Sequence, residues 1–345
     1  KDQLYKEMVN NAVNVRIVDL PPGSIKNIIN RRSRVNKARN LISEIVLKEH
    51  ITHINVHFPH LLNYVSSEIN IPVTAHWHGA FVDNTRLKYF YLKDIFKVRE
   101  VINNLYRKIV VFNFKRADFI ICPSNAAKTT AIDHFGVPKS KVTINRYGIP
   151  ERNSGPYLNI RKKLGFSAND KIILSVGRET KSKGVEDFCK VAMAFKNDST
   201  IKFVFLGGYS NSESYHNDLV SKYGKYVSFL GARPDVYNYY KAANLFLFLS
   251  HRESAGIVLA EAMAFGLPLV AWNIIGVNEM YENGVQGTMI NFGNHTNVIN
   301  DIKSILKNKS LYGRFSNESK LKSYDYSILK STNDLLSIFS SQITN

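Results

Sequence analysis

Short apolar runs alternate along the whole chain with longer stretches of helical periodicity, and this alternation restricts the possible folds most strongly. In the first half the runs are NVRIVDL, HINVHF, PVTAHW and DFIICPS, and in the second half KIILSVG, KFVFLGG, VSFLGA, LFLFLS and PLVAWN. Helical patterns lie between them at residues 34–49, 93–107, 126–135, 185–195 and 260–265. Buried strands that alternate with helices form βαβ units and parallel sheets. The sequence therefore predicts an α/β fold.

The length of the chain and one break in the alternation predict two domains. A chain of 345 residues is long enough for two, and the segment YGIPERNSGPYL at 147–158 brings two prolines and two glycines together. We predict a Rossmann-like domain over residues 1–150 and a second over 151–325. The amphipathic segment 326–345 has no strand after it, and we expect it to pack as a helix back toward the first domain.

Composition favours a soluble globular protein. Hydrophobic residues make up 44% of the chain and charged residues 21%, which are ordinary values. No apolar run reaches 18 residues, so no membrane-spanning helix is expected. Cys122 and Cys189 lie in apolar surroundings, so we predict two buried free thiols rather than a disulfide or a metal site. A cytoplasmic location fits this pattern.

The formal net charge of +18 is concentrated in the first half. Residues 1–150 hold 23 Lys and Arg against 11 Asp and Glu, a net of +12, and the remainder holds 23 against 17, a net of +6. The densest cluster is RRSRVNKAR at 31–39. Such a field attracts phosphates of nucleotides, anionic lipids or nucleic acids, and a plain solvated surface is the alternative. The cluster contains no aromatic residue for base stacking, which counts against nucleic acid.

A pair of cations follows one predicted strand of the second half. In SVGRETKSKGVEDF the strand ends at Gly177, Arg178 and Lys183 lie five residues apart, and Gly184 begins a helical pattern. A strand end followed by a helix start directs backbone N–H groups and a positive dipole into one crevice. Two cations there suit a diphosphate, although two solvated loop cations would give the same pattern. The chain has no GxGxxG dinucleotide fingerprint.

A pair of acids follows another predicted strand, in LSHRESAGIVLAEAMAFGLPLVAW at 249–272. Glu253 lies in a short loop, a helix begins near Gly256, and Glu261 lies on a helix face that is otherwise apolar. A carboxylate at such a place is costly unless it accepts hydrogen bonds, which ribose hydroxyls would donate. Backbone N–H groups at the helix start would bind a phosphate. A loop or capping acid and a solvated helix position are the alternatives.

Together these motifs resemble those of the retaining GT-B glycosyltransferases of family 4, the glycosyl transferases group 1. The spacing E-x7-E followed by EAMAFGLPLVA, and the motif G-R-x4-K-G, match the two halves of that family's donor site. FLGA, ANLFLFLS and GVNEM follow the family's order, and IPVTAHWHG and ADFIICPSNAAKTTAIDHFGVPKSKVTINRYGI resemble its first-domain strands. The resemblance implies two Rossmann-like domains whose parallel sheets face each other across a cleft.

The resemblance also implies a role for each matched residue. Arg178 and Lys183 would bind the donor diphosphate and stabilise its charge as it leaves, Glu253 would contact the sugar hydroxyls, and Glu261 would accept from the ribose. The other donor-binding positions implied lie near the phosphates or sugar (Gly177, Gly256, Ile257 and Val258) and near the base (Gly231, Ala232 and Arg233).

On the acceptor side, the resemblance implies a histidine that faces the reacting sugar. His78, which Gly79 follows, matches the family's His-Gly, and His76 on the same strand is the competing assignment. A metal site is not predicted from the histidines, because zinc needs three or four converging ligands and His53 and His57 on one strand would stand about 13 Å apart. The chain also lacks the acidic DxD motif of metal-dependent transferases, and we expect neither metal nor cofactor.

Two departures from the family pattern affect these expectations. The family begins with a strand and a glycine-rich loop before its first helix, whereas this chain begins at about that helix, so we expect the first strand to be missing. The family often places Phe before the glycine of E-x-F-G, and here the residue is Ala255. This smaller side chain is expected to alter the packing around the donor sugar.

The sequence thus predicts a retaining, metal-independent hexosyltransferase that uses a nucleotide-sugar, UDP ahead of GDP. The expected acceptor is a glycan or a lipid-linked sugar in surface polysaccharide biosynthesis, with peripheral contact to anionic membrane at the inner face of the cell membrane. Within the same fold, a nucleotide-sugar epimerase or a phosphorylase is the alternative. A basic nucleic-acid-binding protein is the alternative from another class, although we expect no nucleic acid partner.

Overall fold

A computed structural model describes residues 31–48, 54–56, 66, 68–76, 114, 117–150, 158–209 and 213–343 of the chain. Several elements predicted from the sequence lie outside these residues. They include the strand at 14–20, the helix at 93–107 and His78, together with the start of the chain, where the first strand was expected to be missing.

The first sheet has four parallel strands in the order β1-β2-β3-β4. The strands are β1 (Ile54–Val56), β2 (Val73–His76), β3 (Phe119–Cys122) and β4 (Val142–Ile144). Ala75 and Ile120 are fully buried in its core, as expected of parallel strands that are covered on both faces. Cys122 is buried and free, and burial raises the pKa of its thiol to about 12, although Lys128 acts in the opposite direction.

The second sheet has six strands, also parallel, in the order β10-β9-β8-β5-β6-β7. They are β5 (Lys171–Val176), β6 (Ile201–Leu206), β7 (Val227–Phe229), β8 (Leu245–Phe248), β9 (Leu269–Trp272) and β10 (Gly287–Ile290). Two apolar clusters cover its faces, one around Tyr240 and Phe246 and the other around Phe188 and Trp272. These four side chains are almost completely buried.

Ten α-helices accompany the two sheets within the described residues. They are α1 (Arg31–Lys48), α2 (Asn125–Thr129), α3 (Ile160–Lys163), α4 (Val185–Ala194), α5 (Glu213–Tyr223), α6 (Val236–Ala242), α7 (Ile257–Ala264), α8 (His295–Lys307), α9 (Lys309–Ser323) and α10 (Ile328–Ile343). A π-helical segment, Thr130–His134, directly continues α2, where the sequence predicted one regular helix. Among the described residues, no helix combines the length and the apolar character needed to cross a membrane.

The order of the second sheet creates a crevice beside two neighbouring strands. β5 and β8 are paired, but the chain leaves β5 toward β6 on one side and leaves β8 toward β9 on the other. The loops after the two strands therefore diverge, and ligands of open α/β sheets bind at such a switch point, outside the carboxyl ends of the strands. Both motifs that were singled out from the sequence lie in these two loops.

Gly184 brings these two loops into direct backbone contact. Its φ is +66°, and a β-carbon added there would lie 1.7 Å from the carbonyl oxygen of Leu249, at the end of β8. The backbone N–H of His251 also donates to the carbonyl oxygen of Ser182 (2.9 Å). The loop after β5 is therefore held against the loop after β8.

Gly184→Ala is expected to destabilise the protein much more than Gly165→Ala, which serves as a matched control. Gly165 has almost the same φ, +67°, but a β-carbon there would have no neighbour within 4 Å. The control therefore measures only the cost of a left-handed backbone, about 1–2 kcal/mol, whereas Gly184→Ala adds a clash with backbone. Scanning calorimetry should show the larger fall in melting temperature for Gly184→Ala, and equal falls would contradict the close packing of the two loops.

The last segment is bonded to the backbone that follows β4. The 3₁₀ turn Tyr324–Tyr326 precedes α10, and Ile149 N–H donates to the carbonyl oxygen of Tyr326 (2.7 Å) while its own carbonyl accepts from Ile328 N–H (3.1 Å). The hydroxyl of Ser331 donates to the carbonyl oxygen of Arg146 (2.7 Å). The backbone at 146–149 is thus bonded to α10 and to the turn before it.

Candidate active site

Lys183 and Glu253, from the two loops at the switch point, are bonded directly to each other. Lys183 Nζ lies 2.8 Å from Glu253 Oε2, and their side chains are 21% and 15% exposed. The sequence assigned them to different parts of a donor, Lys183 to the diphosphate and Glu253 to the sugar. Here they form one ion pair that still reaches solvent, so a ligand that enters the crevice meets a cation and an anion side by side.

Glu253 is held as a carboxylate. Burial would raise its pKa, but the charge and hydrogen bond of Lys183 and the backbone N–H groups of Ser254 and Gly256 outweigh burial, so the pKa lies below its ordinary value. Glu253 Oε1 accepts from Ser254 N–H at 2.9 Å. The N–H of Gly256, which the sequence assigned to a phosphate, thus supports Glu253 in this structure.

Glycines give the Glu253 loop its shape. Gly256 has a φ of +54° and immediately precedes α7. A β-carbon on Gly276, which has a φ of +89°, would lie 2.4 Å from the carbonyl oxygen of Glu253. The segment that begins at Gly276 therefore lies against the loop that carries the carboxylate, and Ile257 and Val258 follow in the first turn of α7.

Glu261 lies one turn into α7 and is bonded to a buried tyrosine. Tyr240, on α6, donates its hydroxyl to Glu261 Oε2 at 2.8 Å. Burial raises the pKa of Glu261, and the bond from Tyr240 only partly opposes this. The sequence placed Glu261 on an apolar face that needed a hydrogen-bond donor, and the structure supplies Tyr240 for one carboxylate oxygen.

Arg178 follows Gly177 at the end of β5, and its side chain is exposed. The neighbouring Glu179 is almost fully buried and lies 2.7 Å from His216, Oε2 to Nδ1. A β-carbon on Gly207 would lie 1.6 Å from the carbonyl oxygen of Gly177. The loop that carries Arg178 is therefore held in place by Glu179 and by the close contact between Gly177 and Gly207, while the Arg178 guanidinium is exposed to solvent and can contact a ligand.

The segment Gly231–Arg233 lies beside this same loop system. Gly207 N–H donates to the carbonyl oxygen of Gly231 (2.9 Å), and a β-carbon on Gly208 would lie 3.5 Å from Ala232 Cβ. Arg233 is paired with Asp235 (3.2 Å). The donor-side residues singled out from the sequence thus lie in loops that follow strands of the second sheet or, for Ile257, Val258 and Glu261, in the first two turns of α7.

The partners of a half-buried carboxylate four residues after Lys183 could not be inferred from the sequence. Asp187, in the first turn of α4, lies 2.6 Å from His251 Nε2 and 2.9 Å from His295 Nε2. Burial would raise its pKa, but the two histidines outweigh burial and lower it. The three residues join α4, the loop after β8 and the start of α8, and so fix the elements from which Lys183 and Glu253 project.

On the acceptor side, the structure describes His76 but not His78. His76 ends β2, is 7% exposed and is paired in register with Ile121 of β3. It therefore lies at the carboxyl edge of the first sheet. His78 therefore stays the predicted histidine on the acceptor side, with His76 as the competing assignment.

Comparisons with known proteins agree with this architecture. The family model "Glycosyltransferase Family 4" matches residues 2–152, and the model "Glycosyl transferases group 1" matches residues 157–322. A crystal structure of Anabaena Alr3699/HepE in complex with UDP-glucose superposes with a TM-score of 0.75 and 19% identity, covering 98% of this chain and 89% of that one.

Two curated relatives differ in how much of their length is matched. An uncharacterized glycosyltransferase of Haemophilus influenzae is 31% identical over 179 residues, 49% of this chain and 49% of the relative. A UDP-Gal:alpha-D-GlcNAc-diphosphoundecaprenol alpha-1,3-galactosyltransferase of Escherichia coli is 24% identical over 294 residues, 81% of this chain and 73% of the relative. The chain thus spans about half the length of the first relative and nearly three quarters of the second.

With a family 4 model matched to its first half and a group 1 model to its second, on two parallel-sheet domains, the chain belongs to the GT-B glycosyltransferases.

Proposed function

We propose that the chain transfers a sugar from a nucleotide-sugar, UDP ahead of GDP, to a glycan or lipid-linked acceptor, with retention at the anomeric carbon. The observation that carries the proposal is the pairing of Lys183 with Glu253 at the switch point of the second sheet. A diphosphate needs a cation and sugar hydroxyls need an acceptor, and the crevice offers both within one contact. Arg178, exposed at the same edge, supplies a second cation.

In the proposed reaction, cationic side chains stabilise the departing diphosphate, so no metal ion is needed. As the bond between the anomeric carbon and the phosphate oxygen breaks, negative charge builds on the departing diphosphate, and its stabilisation is the main electrostatic task. In the proposal Lys183 turns from Glu253 to the phosphate, joined by Arg178, and Glu253 then accepts from the sugar hydroxyls. The acceptor hydroxyl attacks from the side of the leaving group, and a donor phosphate oxygen takes its proton.

The donor proposal is tested by transfer and hydrolysis assays with panels of UDP- and GDP-sugars, each run with and without EDTA. We expect one UDP-sugar to be turned over at the same rate in EDTA, and UDP to raise the melting temperature, since a ligand that binds only the folded state stabilises it. Turnover without any acceptor that interconverts sugar epimers would instead support an epimerase. Loss of all turnover in EDTA would contradict a charge-neutralising role for Lys183 and Arg178.

The lipid-linked acceptor is proposed on the charge of the first half and on the name of the Escherichia coli relative, a galactosyltransferase that acts on a diphosphoundecaprenol-linked sugar. Helix α1 contains five Arg and Lys within residues 31–39, and a basic surface attracts anionic lipids within a Debye length. We expect the protein to float with vesicles rich in anionic lipid at low salt and to detach as salt rises, but not to float with neutral vesicles. Absence of binding at low salt would remove the membrane part of the proposal.

A further inference from the structure

One carboxylate reaches from the second half of the molecule to the first. Glu279 follows β9 in the segment that begins at Gly276. Its Oε2 accepts from Asn125 N–H and its Oε1 from Ala126 N–H, both at 2.7 Å. Asn125 and Ala126 begin α2, which follows β3 of the first sheet. Two short hydrogen bonds to an ionised acceptor are stronger than neutral ones, so this contact joins the two halves with high directionality.

Among the residues that the structure describes, Glu279 is the acceptor for both of these donors. The next N–H, of Ala127, donates to the side chain of its own N-cap, Ser124 (3.1 Å), and the N–H of Lys128 donates to the carbonyl oxygen of Ser124 (3.0 Å). The first two N–H groups of a helix have no intrahelical partner and must find one elsewhere. Glu279 supplies both partners, and when the halves separate these two N–H groups must turn to water.

The contact joins two parts of the molecule that the proposed reaction uses. The segment that carries Glu279 lies beside the proposed donor loop, and α2 lies beside the proposed acceptor edge. On the second half, a β-carbon on Gly276 would lie 2.4 Å from the carbonyl oxygen of Glu253, and one on Gly256 would lie 3.2 Å from Cγ of Met280. On the first half, α2 begins three residues after β3, whose Ile121 is in register with His76 of β2. The segment that carries Glu279 thus contacts the donor loop directly, while its carboxylate contacts the edge where His76 lies.

We propose that Glu279 is a positioning residue that fixes the distance between the acceptor edge of the first sheet and the Lys183–Glu253 pair. The proposal rests on the proposed function, because the spacing matters only if a group passes between the two edges. A displacement of about 1 Å between reacting groups can cost about 10²-fold in rate. The hydroxyl of Tyr326 donates to the carbonyl oxygen of Met280 (2.9 Å) and so holds the next residue of the same segment in place.

The test compares the full chain with Glu279→Gln, and with Glu282→Gln as a matched control. Glutamine keeps the size of Glu279 but presents an NH₂ group to one of the two N–H donors, which breaks that bond. Glu282 lies three residues further along the same segment and is exposed. Spin labels at Lys139→Cys and Asp218→Cys, one in each half and both exposed, report the distance between the halves by pulsed double electron–electron resonance. Cys122 and Cys189 are buried and do not compete for the label.

For Glu279→Gln we expect a longer and broader distance distribution and at least a tenfold lower kcat for transfer. The rise in melting temperature caused by UDP should stay as in the wild type, because the donor residues belong to the second half. Glu282→Gln should match the wild type in all three measurements. If the wild type shows no transfer and no stabilisation by UDP or GDP, the proposed function fails, while the distance measurement still decides whether Glu279 joins the halves.

Two results would overturn the role of Glu279. An unchanged distance distribution together with an unchanged kcat would mean that the contact does not set the spacing. Loss of the stabilisation by UDP in Glu279→Gln would mean that the residue supports the fold of the donor loop, and not the position of one half against the other.

Discussion

Lys183→Ala is expected to lower the rate of sugar transfer about 10²–10³-fold, the usual cost of removing one fixed group that stabilises charge in a transition state. In the structure Lys183 Nζ already lies in the crevice, 2.8 Å from Glu253, and its loop is held in place through Gly184 and Leu249. The backbone of Lys183 is therefore fixed beside Glu253, and in the proposal only its side chain turns to the phosphate. Steady-state kinetics should show a fall in kcat that exceeds any rise in KM for the donor.

Lys181→Ala is the matched control for this prediction. Lys181 belongs to the same 3₁₀ turn, Lys181–Lys183, but its side chain is exposed and is given no role in the proposed donor site. The control removes the same charge two residues away, so a nonspecific effect of net charge would lower both rates equally. Near-normal turnover of Lys183→Ala, or equal losses in the two variants, would refute the assignment of Lys183 to the leaving diphosphate.

Glu261→Gln is expected to weaken donor binding and transfer about 10–100-fold. A hydrogen bond to a charged group contributes about 1.5–3 kcal/mol, and two ribose hydroxyls compete for the carboxylate in the proposal. Glutamine is chosen over alanine because Tyr240, which is fully buried, donates to Glu261. Alanine would leave that hydroxyl without an acceptor at a cost of about 1–3 kcal/mol and would mix a stability defect with the binding defect.

The same carboxylate is expected to give donor binding a dependence on pH. Burial raises the pKa of Glu261 above the ordinary value of 4.5, so the neutral acid accumulates as pH falls toward that raised pKa, and the neutral acid is the weaker acceptor. Donor affinity, measured by titration calorimetry, should therefore fall on the acid side at a pH above 4.5. This fall in donor affinity at acid pH should be absent in Glu261→Gln. If donor affinity still falls at acid pH in the variant, another titrating group causes the fall.

The sequence predicted the strands well because strands buried on both faces are continuous apolar runs. KIILSVG and PLVAWN lie on β5 and β9, which are buried in the sheet. The strand β10, GTMI, was missed because its middle residues are only partly buried and its composition is mixed. Helix bounds shifted by a few residues, as in α1, which spans Arg31–Lys48 rather than 34–49. The start of α7 near Gly256 was predicted from the sequence, and Gly256 precedes Ile257 in a left-handed conformation.

The candidate site could be predicted as a set of residues, but not as a set of contacts. The two loops follow from strand ends and glycines, which are local features. The bond between Lys183 and Glu253 depends on β5 and β8 being neighbours, although 70 residues separate the pair. The partners of Glu261 and Asp187 depend likewise on how helices pack on the sheet. Glu279, 154 residues from Asn125, lay within the motif GVNEM, but nothing local indicates that it bonds to the other half.

The return of the last segment restricts how this enzyme could be recombined with its relatives. The backbone at 146–149 is bonded to Tyr326, Ile328 and Ser331, and Ile149 and Tyr326 are buried together in the apolar cluster around Tyr240 and Phe246 of the second half. A chimera joined only near residue 150 would place a foreign segment 146–149 against Tyr326, Ile328 and Ser331. Exchange of the N-terminal half therefore requires either that segment 146–149 is kept or that a second junction is placed near residue 324, so that α10 is replaced together with the segment to which it is bonded.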